Sequence, residues 1–264
     1  MDHQTPRTLA VDCGGGGIKA TVLDAHSFQL APALREPVPY PLPPSKLLDL
    51  VENMTQQLPG FERITLGMPG MIRHGIVVYT PHYINRAGPR TRQVPELAVQ
   101  WAGFDMSAAL TERFGVPALV LNDAEVAAAG MVTGIGLEFF ATFGTGLGTA
   151  LVDNGILAPH LEISHAPMRW GLTFDDVLGE HERRRLGDSA WSRRVLRALE
   201  LLEPVIRWDK LYLGGGNAAR LSASARLKLV DATIVPNSAG MSSGVRAWNL
   251  VGDKPRRVEP HQQP

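Results

Sequence analysis

Cysteine is almost absent from this 264-residue chain, and two kinds of site are excluded with it. The single thiol, Cys13, cannot form a disulfide within the chain. It also cannot supply the two or more thiolates of a cysteine-rich zinc site. We therefore expect a protein of a reducing compartment, the cytoplasm, with no structural zinc.

The sequence also lacks an excess of charge and a long apolar segment. Lysine plus arginine and aspartate plus glutamate each number 26, so no net field draws the chain to nucleic acid or to a membrane surface. Near the N-terminus, the apolar run at 9–11 is too short for a signal-peptide core or a membrane span. We expect a compact globule whose partners are small molecules held by local contacts.

Glycine, in contrast, is plentiful, and its runs separate short apolar segments. The run at 9–11 leads to Asp12 and four glycines, and β-rich residues resume at 18–23, which predicts a strand, a tight turn and a strand. Segments 139–143 and 149–152 flank a second glycine turn in the same way. This repeat in an α/β chain suggests two duplicated lobes that face a shared cleft.

The expected lobes divide the chain near its middle. We predict a small N-terminal lobe over residues 1–121 and a large C-terminal lobe over 122–236. A last helix at about 237–250 is predicted to pack back on the small lobe. The polar, proline-containing residues 252–264 are expected to be disordered.

The first glycine turn joins two charged side chains to a backbone without Cβ atoms. Its candidate phosphate-binding residues are Asp12, Gly14, Gly15, Gly16, Gly17 and Lys19. Because glycine lets the backbone approach an anion closely, these N–H groups could hold phosphate oxygens. An ordinary hairpin with flexible glycines fits the same pattern.

Two later turns have the same character. Their candidate phosphate-binding or nucleotide-binding residues are Gly144, Thr145, Gly146, Gly215 and Gly216. The Thr145 hydroxyl could donate to a phosphate oxygen, and the turn at 214–217 precedes a predicted helix whose N–H groups could meet a nucleotide. A structural β-turn and a close-packing turn are the alternatives.

Polar residues at two other places could contact a sugar. The predicted strand 118–121 leads to Asn122 and Asp123, which places a carboxylate at the C-terminal end of a strand, an edge that often faces a cleft. A helix cap would suit this aspartate as well. Glu162 and His165 offer acceptor and donor groups to neighbouring hydroxyls, although such residues are more often plain surface.

Together these segments resemble the ROK family (repressors, open reading frames and kinases), and most of all its bacterial polyphosphate glucokinase branch. The resemblance spans about 9–248 and includes a glycine-x-proline-glycine loop at 67–70 and a last-helix motif at 237–240. The zinc motif of many members is missing, as it generally is in the polyphosphate branch. The departures are Gly16 where threonine or serine is common, Ser164 in place of a glycine, and a longer loop at 80–101 with His82, Arg86, Arg90 and Arg92.

The resemblance implies an α/β, actin-like (ribonuclease H-like) two-lobed sugar kinase fold with a central cleft. It implies that Asp123 is the general base and that Asp12 holds Mg²⁺, directly or through water. The glycine turns would hold the phosphoryl donor. The implied sugar-binding residues are Asn122, Asp123, Glu162, His165 and Gly70.

The implied reaction moves a phosphoryl group from polyphosphate, ATP or both to the 6-hydroxyl of glucose or a similar hexose. We expect polyphosphate to serve at least as well as ATP, because arginines in the loop 80–101 and at Arg183, Arg184 and Arg185 could follow a long anion. A solvated basic surface is the alternative.

Two other functions stay open at this level. One is a kinase for a different sugar or polyol. The other is a non-catalytic sugar-binding protein like the family's repressors, although the strand that begins at Leu9 leaves no room for their N-terminal helix-turn-helix. The sequence leaves open the donor, the acceptor and whether the chain forms a homodimer.

Overall fold

The computed structural model describes residues 6–88, 91–235 and 242–252. The elements up to residue 122 build a first sheet and its covering helices. In chain order they are β1 (Thr8–Gly14), β2 (Gly17–Leu23), β3 (Leu34–Glu36), α1 (Pro44–Thr55), β4 (Arg63–Met68), β5 (Met71–Arg73), β6 (Ile76–Tyr79), α2 (Pro95–Trp101), β7 (Phe104–Asp105), α3 (Met106–Phe114) and β8 (Ala118–Asn122).

The remaining described elements build a second sheet and its surroundings. They are α4 (Asp123–Ala129), β9 (Leu137–Phe143), β10 (Leu147–Asp153), β11 (Ile156–Leu157), β12 (Pro167–Arg169), β13 (Leu172–Thr173), α5 (Phe174–Leu178), α6 (Glu180–Leu186), α7 (Asp188–Ile206), β14 (Lys210–Gly214), α8 (Ala223–Arg226), β15 (Ala232–Ile234) and α9 (Ala247–Leu250). Short 3-10 turns lie at Ile163–His165 and Ala218–Arg220.

The two large sheets have the same topology. The first has the strand order β3-β2-β1-β4-β8 and the second β11-β10-β9-β14-β15. In each sheet, read in this order, the first two pairs of neighbouring strands are antiparallel and the last two pairs are parallel. The duplication predicted from the glycine hairpins is therefore present, whereas the exact lobe limits stay a prediction.

Each sheet has its own apolar core. In the first, the buried face of α1, with Leu47, Val51 and Met54, packs against β1, β2 and β4. In the second, Trp191 and Val195 of α7 pack against β9 and β14. The periodicity of apolar residues in both helices produces these faces. None of the helices within the described ranges is long and apolar enough to cross a bilayer.

Helix α4 contacts both sheets, through β4 of the first and β10 of the second. A Cβ on Gly67 at the end of β4 would stand 3.3 Å from the Asp123 Cα, and one on Gly148 of β10 would stand 3.0 Å from the Ala124 Cβ. Because neither Gly67 nor Gly148 has a side chain, the first turn of α4 can pack closely against both strands. That turn carries the predicted general base.

The C-terminal segment packs on the first sheet. The Thr65 hydroxyl of β4 donates to the Gly244 carbonyl at 2.7 Å and accepts from the Trp248 indole N–H at 2.9 Å. The Arg63 guanidinium lies 5.0 Å from the centre of the Trp248 ring. Within the described residues the final helix begins at Ala247; the motif at 237–240 and the tail beyond 252 lie outside them.

Candidate active site

Three neighbouring parallel strands end at the predicted catalytic segment. In the first sheet, Asp12 of β1 is opposite Gly67 of β4, and Met68 of β4 is opposite Asn122 at the end of β8. Asp12 is thus two strands, or about 10 Å, from the catalytic segment at the same sheet edge. The carboxyl ends of parallel strands bring these residues together although they are far apart in sequence.

Asn122 fixes the geometry of this edge through its own side chain. Its Oδ1 accepts from the Ala124 N–H at 2.8 Å, and its Nδ2 donates to the Gly70 carbonyl at 2.9 Å. The backbone N–H of Asn122 donates to Glu125 Oε2 at 3.0 Å, which completes a capping box. The amide therefore has partners at both ends, and its role as a sugar ligand stays a prediction.

Asp123 is the first residue of α4, and it is half-buried. Burial raises the pKa of its carboxyl to about 7, and the negative charges of Asp12 and Glu162 act in the same direction. The Ala124 N–H, 2.9 Å from Asp123 Oδ1, and His160 oppose the shift. A carboxyl with this pKa can hold or release a proton near neutral pH.

Gly70 occupies a position that only glycine tolerates. Its φ is +104°, and a Cβ there would overlap the Tyr79 carbonyl oxygen and crowd Thr80. The predicted sugar contact at Gly70 stays a prediction. What the structure shows is that its carbonyl connects this loop to Asn122.

The first glycine turn is open toward solvent. Gly15 and Gly16 form the turn between β1 and β2, and a Cβ on Gly16 would meet nothing within 4 Å. Lys19 Nζ contacts Asp12 Oδ2 at 2.9 Å, and the Tyr40 hydroxyl donates to the Gly15 carbonyl at 2.8 Å. The open space lies at Gly16, whereas Gly14 packs against the Gly17 carbonyl and Gly17 against Arg35 and the Glu36 carbonyl.

Arg35 adds a cation to this turn that the sequence did not suggest. It lies opposite Lys19 in the β2–β3 pairing, and a Cβ on Gly17 would stand 3.2 Å from its Nε. The side chain is exposed, and none of the ion pairs among the described residues involves it. Two positive side chains therefore flank the first turn.

In the second and third turns, Gly146 and Gly215 pack against protein, whereas a Cβ on Gly144 would meet nothing within 4 Å. A Cβ on Gly146 would overlap the Asp175 carboxylate, whose Oδ1 accepts from the Leu147 N–H at 2.7 Å. At the third turn, Gly215 has φ +81°, and a Cβ there would overlap the carbonyl oxygen of Phe143. The Asn217 Nδ2 donates to the Gly144 carbonyl at 3.2 Å and so joins the two turns. Thr145 and Gly216 are exposed.

The predicted sugar-binding pair differs in its surroundings. Glu162 is largely buried, and its Oε1 accepts from the Ser164 hydroxyl at 2.5 Å. Burial acts to raise the pKa of Glu162, but His160 and Ser164 outweigh it and lower the pKa. His165 is exposed and makes an edge contact with the Tyr79 ring, with 5.8 Å between centroids.

The divergent loop at 80–101 also reaches this region. Burial lowers the pKa of His82, and the charges of Asp175 and Glu162 oppose that shift, which places His82 beside both carboxylates. Arg86 and Arg92 are exposed, and Arg90 lies outside the described residues. The loop thus contributes an imidazole that feels the charge of Glu162, a predicted sugar-binding residue.

The arginines of α6 are less available than the sequence suggested. Arg183 pairs with Glu180 and Asp188, Arg184 pairs with Glu180, and Arg185 pairs with Glu182. Since each guanidinium already has a carboxylate partner, an anion would have to compete for it. Their role in following a polyanion stays a prediction.

Residue types suitable for a metal are sparse around this site. No group of three His, Cys, Asp or Glu side chains converges on a metal position within residues 6–88, 91–235 and 242–252. Mg²⁺ usually binds through one or two carboxylates together with substrate phosphates and water. The half-buried Asp12 at the first glycine turn suits that kind of site, and magnesium there stays a prediction.

Three functional candidates were missed in the sequence. Glu125 could have been found from its place three residues after Asn122, the spacing of a capping box. Asp175 and the contact between His160 and Glu125 gave no local signal, because the partners lie 28 and 35 residues apart. All three connect predicted site segments to each other.

Comparison with known proteins gives consistent matches. A sequence model of the ROK family matches residues 8–165, more than half of the chain. A polyphosphate glucokinase of Mycobacterium tuberculosis (strain ATCC 25177 / H37Ra) is 28% identical over 235 residues, which cover 80% of this chain and 78% of the relative.

Solved structures of other proteins share the fold. An inorganic polyphosphate/ATP-glucomannokinase from Arthrobacter sp. strain KM matches with a TM-score of 0.71 at 24% identity, over 90% of this chain and 96% of that one. A ROK family transcriptional regulator, a homologue of the E. coli MLC protein, matches with a TM-score of 0.68 at 14% identity, over 91% and 77%. The predicted α/β, actin-like two-lobed fold is confirmed.

Proposed function

The chain belongs to the ROK family, and from that membership we propose that it is a sugar kinase that phosphorylates the 6-hydroxyl of glucose or a similar hexose. The observation that carries the proposal is the half-buried Asp123 at the edge of the first sheet, with a pKa raised to about 7. The glucokinase and glucomannokinase relatives support the same reaction class.

Phosphoryl transfer needs positioning, charge neutralisation and a proton acceptor, and each has a candidate here. Asp123 accepts the proton of the attacking hydroxyl, a role worth roughly a hundred- to ten-thousand-fold in rate. Glu162 and His165 orient the sugar, and the Gly70 loop, fixed by Asn122, lines the site. Mg²⁺ held by Asp12 would neutralise charge on the donor phosphates.

The donor is the finer part of the proposal. We assign inorganic polyphosphate as well as ATP, because Lys19 and Arg35 flank the first turn and can bind phosphates beyond the transferred one. The curated relative is named for polyphosphate and the solved one for polyphosphate and ATP. The N–H groups of the first turn would approach the same anion.

Asp123→Asn tests the catalytic assignment. The amide keeps the shape and polarity of the side chain but cannot accept the proton, so kcat should fall at least a hundredfold while hexose still binds. In the unsubstituted enzyme, kcat/KM for the hexose should fall as the pH drops through about 7, since the base must be ionised. Near-normal turnover by Asp123→Asn would refute the mechanism.

A donor assay separates polyphosphate from ATP. Arg35→Ala should raise the KM for polyphosphate more than the KM for ATP. The difference between these two effects should become smaller at higher salt, because salt screens the attraction between the arginine and the polyanion. Arg197→Ala, which removes an exposed arginine on α7, is the control for loss of surface charge. Turnover with ATP alone at low salt would overturn the donor assignment and leave the kinase assignment standing.

A non-catalytic sugar-binding protein is the second candidate, because the family's transcriptional regulators share this fold. Such a protein would bind hexose without transferring phosphate from any donor. A phosphorylation assay that crosses several hexoses with ATP and polyphosphate distinguishes the two, and also identifies the acceptor.

A further inference from the structure

A buried chain of charged groups connects the catalytic segment to the sugar-binding segment. Glu125 on α4 accepts from the Asn122 N–H through Oε2, while its Oε1 lies 3.2 Å from Nδ1 of His160. On the other side of the ring, Nε2 of His160 lies 3.6 Å from Glu162 Oε2. The side chains of Glu125 and His160 are 3% and 2% exposed, so water does not screen them.

The geometry favours the charged form of this histidine, with one carboxylate at hydrogen-bond distance of Nδ1 and a second 3.6 Å from Nε2, beyond that distance. A neutral imidazole carries one N–H, and its other nitrogen is an acceptor that would face a carboxylate oxygen. Only the imidazolium presents a proton to a carboxylate on each side. Although burial opposes ionisation, Glu125 and Glu162 raise the pKa of His160 to about 9.

We propose that His160 is a positioning residue for the sugar: as a buried imidazolium anchored on Glu125, it holds the Glu162 carboxylate ionised and in place to bind the hexose hydroxyls. This inference rests on the proposed sugar kinase function, and it assigns part of the sugar affinity to a residue that does not touch the sugar. Because Glu125 also caps α4, the same contact connects the orientation of Glu162 to the segment that carries Asp123.

Two substitutions separate the two sides of the imidazole. His160→Asn keeps an N–H donor near the Nδ1 position, toward Glu125, and His160→Gln keeps one near the Nε2 position, toward Glu162. Both should weaken hexose binding, measured by calorimetry without donor, by roughly ten- to hundredfold, and Gln less than Asn. The KM for the phosphoryl donor should stay unchanged. His181→Gln, an exposed histidine on α6, is the matched control.

A pH titration of the unsubstituted protein tests the same inference without a variant that could fail to fold. Hexose affinity should fall as the pH rises through about 9, because deprotonation leaves two buried carboxylates around a neutral ring. The charged groups facing His160 are Glu125 and Asp123 from α4 and Glu162 from its own segment. Burial raises the pKa values of Tyr79 and Tyr40, the latter to about 12, so they stay protonated in this range.

The outcomes are distinguishable. Folded His160 variants with unchanged hexose affinity, or an affinity constant from pH 7 to 10, would overturn the inference while the kinase assignment stands. An equal loss of donor and hexose binding would also overturn it, since that indicates general damage. If the unsubstituted protein neither binds nor phosphorylates any hexose, the proposed function fails and this inference fails with it.

Discussion

The first glycine turn and the two turns of the second sheet use the same residue for different physical reasons. Around Gly16 there is empty space, and the nearby charged groups, Lys19 and Arg35, are side chains at its rim. Around Gly146 and Gly215 the space is filled, by the Asp175 carboxylate and by the Phe143 backbone. Gly16 leaves room for a ligand, whereas Gly146 and Gly215 leave room for the protein.

This difference separates ligand binding from stability. Substitutions in the first turn should alter donor binding with little change in the free energy of unfolding. Substitutions of Gly146 and Gly215 should lower that free energy before any effect on donor binding can be measured. For each substituted glycine, measuring both donor binding and the free energy of unfolding shows whether the glycine makes room for a ligand or for the protein.

The largest effect is expected for Gly215→Ala. The alanine would adopt a positive φ and would overlap backbone atoms of Phe143 that cannot rotate away. The expected loss is roughly 2–5 kcal/mol in the free energy of unfolding, from backbone strain and overpacking together. Urea denaturation measures it, and a loss below 1 kcal/mol would break the distinction between the turns.

Gly146→Ala should have an intermediate effect. The new methyl group displaces the Asp175 carboxylate, which is a side chain and can move, but the Leu147 N–H then loses its acceptor. We expect a loss of about 1–3 kcal/mol. Asp175→Asn is the matched control, because its amide oxygen can still accept from Leu147. If both variants were equally destabilised, the charge of Asp175 rather than its hydrogen bond would be responsible.

On the ligand-facing side, Asp123→Asn should stabilise the ligand-free protein above pH 7. The folded-state pKa of about 7 lies above the ordinary value of an aspartate carboxyl, so folding opposes ionisation. This cost to the free energy of unfolding grows as the pH rises between the two pKa values and is complete above pH 7. If the amide recovers about 1 kcal/mol, Tm should rise by roughly 2–4 °C at pH 8. The gain should shrink at pH 5, and a Tm difference independent of pH would contradict the assigned cause.

The smallest effect on stability is expected for Gly16→Ser. The φ of Gly16 lies outside the left-handed region, and a Cβ there meets no atom within 4 Å. The free energy of unfolding should therefore change by less than about 0.5 kcal/mol. The added hydroxyl can donate to a phosphate oxygen, and we expect a lower KM for the donor. A destabilised protein, or a higher donor KM, would show that the space is not the donor site.

How much could be predicted from sequence depends on how far apart the contacting residues are. Asp12, Asn122 and Asp123 could be predicted, because each follows an apolar strand and strand ends gather at one edge. Asp175 and the contact between His160 and Glu125 could not, since the partners lie on other elements. The open and filled glycine turns look alike in sequence, because glycine shows where a side chain is excluded but not what occupies the space.

The packing of the C-terminal segment on β4 has a consequence for the order in which the protein can be completed. The Thr65 hydroxyl binds the carbonyl of a residue 179 positions later. At the usual pace of translation, about 5–20 residues per second, that partner is made on the order of ten to forty seconds after Thr65. Until then, the surface that Val245 and Trp248 cover in the folded protein lacks that cover. On the ribosome the first lobe to emerge is therefore among the last parts to be finished.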